Sequence, residues 1–397
     1  MTNNNDKKVL NVPPSTDKGN AIRNVPPLRF PEFSEEWKEE QLDSIATLSK
    51  GVGISKEQLS EVGEPCILYG ELYTKYKSEI IKQIESKTDI DCSKLKRSKA
   101  NDVIIPCSGE TAVDIATARC VPFDNILFGG DLNVISLHKY DGAFMSYQLN
   151  GKRKYDIARV AQGVSVVHLY GDHLKAIKTY NPTLPEQQKI AKLLSLLDER
   201  IATQNKIIEK YESLIKGINC KIFALIQGNE YRLGDIATIT NGNSNVQDAS
   251  VEYRVGLYPF FDRSEDVKYL PTFLFDKESI IYPGEGTEFM PRYYNGKFAL
   301  HQRCYAICDF NEAVNPQFLY FFLKTQNSYF IRNAVGSTVP SLRLDTFQKL
   351  KVVIPSKETQ YSVYSFLSTL EQKLDVENSI MKMLLCQKRY LLRQMFI

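Results

Sequence analysis

Apolar residues recur with helical spacing through the centre of the chain. They are Ile190, Leu194, Leu197, Ile201, Ile208, Tyr211, Ile215, Ile218, Ile222 and Leu225. Because residues three and four apart share one face of an α-helix, this pattern predicts an amphipathic helix from about Pro185 to Gln227, beginning in the sequence NPTLPEQQ. At about 1.5 Å per residue the helix would be roughly 60 Å long, which exceeds any single small domain.

A second helix with an equally wide apolar stripe is predicted after Pro355. An amphipathic helix of this length needs a partner for its apolar face, and the two predicted helices are the obvious partners for each other. The alternative, in which each helix packs only on its own domain, leaves most of the helical length uncovered. We therefore predict an antiparallel coiled coil. The positions expected in the pair are Leu194, Leu197, Ile201, Ile208, Leu367, Leu370, Leu374 and Met381.

The chain contains two copies of one unit. Residues 159–187 align without a gap onto residues 332–360, 173 positions later, and nine of the 29 paired residues are identical, where chance would give about two. Upstream, LDSIATLSKG from Leu42 matches LGDIATITNG from Leu233, 191 positions later. The shrinking offset means that the first copy carries about 18 extra residues between its shared ends.

The two copies resemble each other at their ends and differ in their interiors. Each is predicted to open with a strand, Ile45 to Leu48 or Ile236 to Thr240, to continue through short β segments, and to close with its long helix. One scaffold that carries two binding specificities would show this pattern, since loops vary while their supports persist. A duplicated structural domain that simply drifted is the alternative.

Composition places the chain among ordinary folding proteins, with 43% hydrophobic and 24% charged residues. No run approaches the roughly 20 apolar residues that cross a bilayer, and the beginning lacks a secretory pattern, so we expect a cytoplasmic protein with no membrane partner. The eight cysteines include no CxxC pair and are expected to be free thiols. Cys304 and Cys308 lie near His301, but their spacing fits a strand better than a zinc site.

The net charge of +3 is too small to indicate a nucleic-acid partner by itself, so any phosphate-binding surface must be local. Two basic clusters could supply it, although solvated loops are the commoner explanation for such clusters. The clusters are Lys94, Lys96, Arg97 and Lys99, and Lys152, Arg153, Lys154 and Arg159.

Several segments resemble one known family. LRFPEFSEEW, the paired LDSIA and LGDIA starts, and AQGVSVVHLYGDHLKAIKTYNPTLPEQQKIAKLLSLLDERI resemble the specificity subunit of Type I restriction-modification systems. The resemblance covers essentially everything after the first residues, and most of its specificity lies in residues 161–201. The second copy keeps the Gly-Ser pair and the final Pro but lacks the PEQQ sequence.

The resemblance implies an α+β fold with two tandem pseudo-symmetric α/β target-recognition domains separated by the two long helices. It further implies that the chain binds double-stranded DNA at a bipartite asymmetric target. Two methyltransferase subunits would dock on the helices, and restriction subunits, which translocate and cut, would join that core. The expected segments are a flexible tail at 1–27, recognition domains at 28–184 and 229–355, and helices at 185–228 and 356–397.

The sequence lacks the motifs of the chemistry that such a complex performs. The two NVPP sequences place Val12 and Val25 where an adenine methyltransferase of this class carries Asn, Asp or Ser, and no GxxxxGK[ST] loop or Gly-rich strand-to-helix turn occurs. We therefore expect no catalysis and no cofactor on this chain. S-adenosylmethionine, ATP and Mg are expected on partner subunits.

Candidate DNA contacts follow from residue type, since Lys and Arg neutralise phosphates, while Arg, Asn, Gln and His can reach base edges. In the first copy the candidates are Lys50, Lys94, Lys96, Arg97, Arg153 and Lys154. In the second copy they are Asn241, Asn243, Gln247, Arg263, Arg292, His301, Gln302 and Arg303. The pairs Gly163/Ser165 and Gly336/Ser337 could position phosphates, but tight turns explain them better.

Two other classes of function stay open at this point. A helical adaptor or scaffold without nucleic-acid binding would show no salt-dependent DNA binding. A nuclease or methyltransferase of an unfamiliar type would show turnover by the isolated chain, and the missing motifs argue against it.

Overall fold

The structure is a computed structural model that describes residues 24–163 and 165–397. Most of the predicted tail, residues 1–23, lies outside this range. Within it, the backbone N–H of Trp37 donates to the carbonyl of Asn24 at 2.8 Å, so residues 24–27 belong to the folded part of the chain. The chain forms two compact units. Unit 1 comprises the described part of residues 1–202 together with 382–397, and unit 2 comprises residues 203–381.

Unit 1 is a mixed α/β unit whose strands form two larger sheets, in the orders β2-β11-β7-β9 and β3-β5-β4-β10-β6. Its strands are β1 Lys38–Gln41, β2 Ala46–Lys50, β3 Leu59–Ser60, β4 Glu64–Ile67, β5 Ser86–Thr88, β6 Lys96–Arg97, β7 Asp102–Pro106, β8 Ser108–Gly109, β9 Arg119–Val121, β10 Leu127–Phe128, β11 Leu132–Leu137, β12 Val167–His168 and β13 Lys178–Asn181. Its helices are α1 Leu42–Ile45, α2 Glu71–Thr74, α3 Ala112–Ile115, α4 Gly142–Asn150, α5 Lys154–Val160, α6 Gly171–Lys175 and the first part of α7 Leu184–Leu225.

Unit 2 contains one sheet in the order β15-β20-β18-β19-β16-β17. Its strands are β14 Asn229–Arg232, β15 Thr238–Asn241, β16 Tyr258–Phe261, β17 Lys268–Leu270, β18 Phe275–Pro283, β19 Arg292–Leu300, β20 Cys304–Cys308 and β21 Lys351–Ile354. Its helices are α8 Leu233–Ile236, α9 Pro316–Lys324, α10 Asn327–Asn333, α11 Leu344–Gln348, the end of α7 and most of α12 Lys357–Gln394.

The two units share one topology. In both, the strand after the opening helical turn pairs antiparallel with a central strand, β2 with β11 and β15 with β20. On its other side each central strand pairs antiparallel with β7 or β18. Each unit also contains one parallel strand pair at the equivalent place, β4 with β10 in unit 1 and β16 with β19 in unit 2. In unit 1 the equivalent of the long strand β19 is divided into β9 and β10, and this division splits the sheet in two.

The opening of each unit differs slightly from the prediction. LDSI and LGDI form single helical turns, α1 and α8, and the predicted opening strands begin only afterwards, at Ala46 and Thr238. In each turn the Leu and the Ile are buried, which gives i, i+3 spacing and favours one turn of helix over a strand.

Both long helices are present, α7 two residues shorter at its end than predicted. Within unit 1, Ile190, Ala191 and Leu194 of α7 pack with Met395 and Phe396 in one cluster that includes Trp37. The eight positions predicted for the helix pair are all buried or half-buried. Within unit 2, the Gln204 Nε2 donates to Glu377 Oε2 at 2.5 Å. These two residues are 173 positions apart and so occupy the same position in the two copies. Two repeat-related helices contact each other through equivalent positions when they pair antiparallel about a two-fold axis.

In the described part of the chain, no helix is long and apolar enough to cross a membrane. Cys304 and Cys308 are buried residues of strand β20, as the alternation predicted, and all eight cysteines are free thiols. Among the described residues no group of His, Cys, Asp and Glu is arranged to hold a metal ion.

Candidate nucleic-acid interface

Four of the predicted DNA contacts of the second copy line one cleft in unit 2. The cleft has a volume of about 560 Å³ and its walls include Arg263, His301, Gln302 and Arg303, with Val246 beside them. His301, Gln302 and Arg303 form the short loop between β19 and β20, and these two strands place the loop at the end of the sheet. The sheet therefore brings together residues that are up to 40 positions apart in sequence.

A close backbone approach fixes the same loop in each unit. In unit 2 a Cβ atom at Gly242 would lie 2.0 Å from the carbonyl oxygen of Leu300, and in unit 1 a Cβ at Gly51 would lie 1.9 Å from that of Gly129. Only glycine fits at such distances. Because the two glycines are repeat equivalents, the loop that follows Leu300 has its counterpart in the loop that follows Phe128.

The side chains of the unit 2 loop are held by polar contacts. The Nη1 of Arg303 donates to Glu285 Oε1 at 2.7 Å, and the backbone N–H of Arg303 donates to His301 Nδ1 at 3.3 Å. Burial lowers the pKa of His301 below its ordinary value, which favours the neutral imidazole, and because Nδ1 accepts the N–H of Arg303, the proton of the neutral ring lies on Nε2. Asn241 donates to the carbonyls of Gln302 and Cys304 at 3.5 and 3.4 Å. The loop thus presents donors on a fixed backbone.

The equivalent surface of unit 1 carries aromatic and imidazole rings. Lys50 occupies the position equivalent to Asn241, and its Nζ lies 5.7 Å from the ring centroid of Tyr170. Tyr170 stacks against His168 at 6.3 Å and meets His173 edge-on at 5.5 Å. A cation beside exposed aromatic rings is an arrangement suited to binding a nucleic acid, which offers phosphates to the cation and flat bases to the rings.

The two surfaces are built on the same hydrogen bonds. The N–H of Leu169 donates to the carbonyl of Cys107 at 2.9 Å, and the equivalent N–H of Leu342 donates to Gly284 at 2.8 Å. On this shared frame Ser108 of unit 1 stands where unit 2 has Glu285. Side chains of different chemistry also occupy four other pairs of equivalent positions, which are Lys50/Asn241, Asp131/Arg303, His168/Ser341 and Tyr170/Arg343. One framework therefore displays two different sets of donors and acceptors.

The predicted basic clusters of the first copy do not join this surface as groups. Arg97 forms an ion pair with Glu64, with Nη1 and Oε2 2.5 Å apart, and Lys96 lies beside it on β6, while Lys94 is exposed in the preceding loop. Lys154 begins the short helix α5 and is half-buried.

Other predicted contacts have intramolecular partners or lie apart from the cleft walls. Arg153 donates to the carbonyl of Ile397 at 2.9 Å and lies 5.3 Å from the Tyr180 ring centroid. Arg292 donates to the carbonyl of Ser264. Asn243 and Gln247 are exposed near the cleft but are not among its walls.

His168, Tyr170, His173 and Arg343 were not among the predicted contacts. For His168 and Tyr170 the signal was the alternation in VVHLY, where the buried Val167 and Leu169 separate residues that face solvent. The repeat alignment also pairs Tyr170 with Arg343, 173 positions apart.

The glycines of the shared segment are turn residues, as predicted. Gly163 and Gly336 have φ values of +123° and +105°, in the left-handed region that favours glycine. A Cβ on Gly163 would lie 2.1 Å from the carbonyl oxygen of Val166. The turn needs glycine for its backbone, which explains its presence in both copies.

Comparison with known proteins identifies the family. The profile of the family described as the Type I restriction modification DNA specificity domain matches residues 34–213 and 228–384. The specificity subunit of the Type I restriction enzyme EcoDI from Escherichia coli is 30% identical over 138 residues, which are 35% of this chain and 30% of that protein. The alignment thus spans less than a third of that relative. The specificity subunit of the Type I restriction enzyme MjaVIII from Methanocaldococcus jannaschii is 22% identical over 70% of this chain and 74% of that protein.

Solved structures share the fold. The S subunit of a Type I restriction-modification system from M. genitalium superposes with a TM-score of 0.63 at 20% identity, covering 94% of this chain and 99% of that one. A chain from a structure describing complex assembly and conformational transition of the type I R-M system gives a TM-score of 0.56 at 14% identity, covering 91% and 97%. At these identities the likeness establishes the tandem two-domain architecture.

Proposed function

Because this chain belongs to the Type I restriction modification DNA specificity family, we propose that it is the DNA-reading specificity subunit of such a complex and recognises a bipartite, asymmetric target. The observation that carries this proposal is the shared framework with dissimilar side chains in units 1 and 2. Each frame would read one half of the target, and because the displayed donors and acceptors differ, the two half-sites differ too. The chain itself performs no catalysis.

The two recognition domains are proposed at residues 28–184 and 229–355, and the helices at 185–228 and 356–397 form the spacer that sets the distance between half-sites. Each residue added to a helix lengthens it by about 1.5 Å and rotates the domain at its end by about 100°. The helices would therefore determine the spacer of the DNA target, while the recognition domains determine its ends.

Two methyltransferase subunits dock on the long helices in this proposal. Both helices have large apolar side chains that stay exposed in the folded chain. Exposed apolar patches of this kind mark protein contacts. The most exposed are Leu196, Leu214, Leu225, Tyr361, Val376, Met383 and Tyr390. Restriction subunits join the methyltransferase core. S-adenosylmethionine, ATP and Mg belong to those partners, and the complex acts in the cytoplasm, where the DNA is.

The test is sequencing of methylated adenines in a host that carries the partner genes, with and without this gene. We expect one bipartite motif to appear only with the gene. Exchange of residues 50–155 for the matching part of a relative should change one half of the motif and leave the other half and the spacing intact. If both halves change together, the modular proposal fails. Assembly of the helices with partners but without salt-dependent DNA binding would instead support a helical adaptor.

A further inference from the structure

We propose that Arg303 reads a guanine in the second half-site and that Glu285 is the residue that positions its guanidinium. This inference rests on the proposed function and assigns one specificity-determining contact within it. Arg303 lies on the loop between β19 and β20 and its side chain is 63% exposed, whereas that of Glu285 is only 18% exposed. The carboxylate is thus an anchor within the fold, and the arginine is the part that reaches outward.

The anchor is rigidly held. Glu285 follows strand β18 and forms a β-bridge with Ser341, and a Cβ on the neighbouring Gly284 would lie 1.9 Å from the carbonyl oxygen of Arg303. The two backbones are therefore in direct contact, and only glycine permits that approach. The loop that carries the arginine and the residue that holds its side chain move as one.

The ion pair occupies one side of the guanidinium. Nη1 bonds to Glu285, and within the described part of the chain Nε and Nη2 have no hydrogen-bond partner. Arg presents its donors in a planar fork, and holding that fork in place reduces the rotamer entropy lost on binding. Guanine offers two acceptors, O6 and N7, on its major-groove edge, and a bidentate contact from Arg or Lys to these two atoms is the commonest specific contact in the major groove.

The equivalent position in unit 1 supports an assignment to base reading. Asp131 stands there, and a carboxylate accepts hydrogen bonds but donates none, so it cannot bind the guanine acceptors. It suits the exocyclic amino group of cytosine or adenine instead. A residue that served only to neutralise phosphate would keep its charge in both copies, and this one reverses it.

The experiment uses the complete methyltransferase complex with wild-type chain, Arg303→Lys, Arg303→Ala, Glu285→Gln and the control Arg332→Lys, an exposed arginine outside the cleft. The motif is read by sequencing methylated adenines. Methylation rates are then measured on duplexes in which each guanine of the second half-site is replaced in turn by 7-deazaguanine, which lacks the N7 acceptor.

For the wild type we expect one replacement to slow methylation roughly fivefold to a hundredfold, the range for a bidentate base contact. Arg303→Ala removes the donors, so it should relax that single position and make the complex insensitive to that replacement. Arg303→Lys keeps the charge and a donor but loses the fork, so it should keep part of the sensitivity. Glu285→Gln should reduce the sensitivity in part, and Arg332→Lys should leave it unchanged. Unaltered recognition of the first half-site serves as the internal check that each complex is folded.

Three results would overturn the inference while leaving the proposed function intact. They are a second half-site without guanine, equal 7-deazaguanine sensitivity in wild type and Arg303→Ala, and an Arg303→Ala variant that lowers the salt slope of binding with the motif unchanged, which identifies a phosphate contact. Absence of any bipartite motif with the wild-type chain would instead refute the proposed function.

Discussion

Removing the ammonium group of Lys388 should destabilise unit 1 strongly. Its Nζ lies 2.6 Å from Glu79 Oε2 and 2.6 Å from Asp198 Oδ1, and the side chains of the three residues are 16%, 9% and 6% exposed. Tyr147 donates its hydroxyl to the same Asp198 carboxylate at 2.7 Å. One lysine therefore forms ion pairs with two buried acids, one on α7 and one in the loop before β5, while the buried Arg119 adds a longer-range attraction.

The expected magnitude depends on the charges that the deletion leaves behind. Breaking a buried ion pair by removing one partner costs about 3–5 kcal/mol, because the remaining charge is desolvated without compensation. In Lys388→Met two carboxylates are left, so we expect the upper part of that range. Neutralising them as well, with Glu79→Gln and Asp198→Asn, should recover about half of the loss or more, since an uncharged cluster has no such penalty.

The pH dependence has a defined sign. Burial, which outweighs the attraction of Lys388, raises the pKa of Glu79 above its ordinary value. A raised carboxyl pKa favours the protonated folded state, so its contribution to stability is present at low pH and is lost as pH rises through the folded pKa. Without Lys388 the pKa rises further, and the loss in Lys388→Met should therefore be larger at pH 8 than at pH 5.

The single tryptophan makes the measurement selective. Trp37 is buried in unit 1, so urea unfolding followed by its fluorescence reports on that unit. Lys382→Met is the control, because Lys382 is an exposed lysine of the same helix, and it should change the free energy of unfolding by less than about 0.5 kcal/mol. If the free energy of unfolding of Lys388→Met lies within about 1 kcal/mol of that of Lys382→Met, the account of the buried cluster is refuted.

Three further predictions concern the turn, the spacer and the basic cluster. Gly163→Ala should lower the free energy of unfolding by more than about 1 kcal/mol, because the added Cβ meets a nearby carbonyl oxygen at a residue with positive φ. Gly217→Ala within α7 should instead raise the free energy of unfolding by about 0.5–1 kcal/mol. Urea unfolding curves that rank the two variants in the reverse order would contradict both expectations. A four-residue insertion between Leu193 and Lys221 should change the spacer of the methylated motif but neither half-site, and an unchanged spacer would count against helices as the determinant of distance. Lys94→Glu should reduce the log-log salt slope of DNA binding by roughly 0.9 if that exposed lysine contacts a phosphate, and an unaltered slope returns it to the solvated loop.

Periodicity and repetition allowed much of the architecture to be predicted directly. The helical stripe that ends at Leu225 and the one after Pro355 gave both long helices nearly to the residue. The fixed offset of 173 positions held for whole elements, since α5, α6 and β13 of the first copy recur as α10, α11 and β21. These features are local or repeated, so they leave a direct record in the order of residues.

The candidate interface was only partly predictable. Residue type predicted Lys50, Asn241 and Arg303 as DNA contacts, and the structure places Lys50 and Asn241 at equivalent positions of the two units, with Arg303 in the loop beside Asn241. It also predicted Arg97 and Arg153, which lie elsewhere in unit 1 and have partners there. A basic residue in a sequence gives no indication of whether an acid from a distant strand will meet it. Glu64 and Arg97 are 33 positions apart, and only strand pairing brings them together.

The sequence by itself determined the duplication, the long helices, the glycine turns and the family, because each depends on spacing along the chain. Tertiary structure alone decided which polar groups converge. The division of one strand into β9 and β10, the contact of Gly284 with the loop of Arg303, and the sharing of Lys388 between two acids all depend on pairings across tens or hundreds of residues. Such pairings arise from the joint packing of many side chains and backbone hydrogen bonds, and no single segment specifies them.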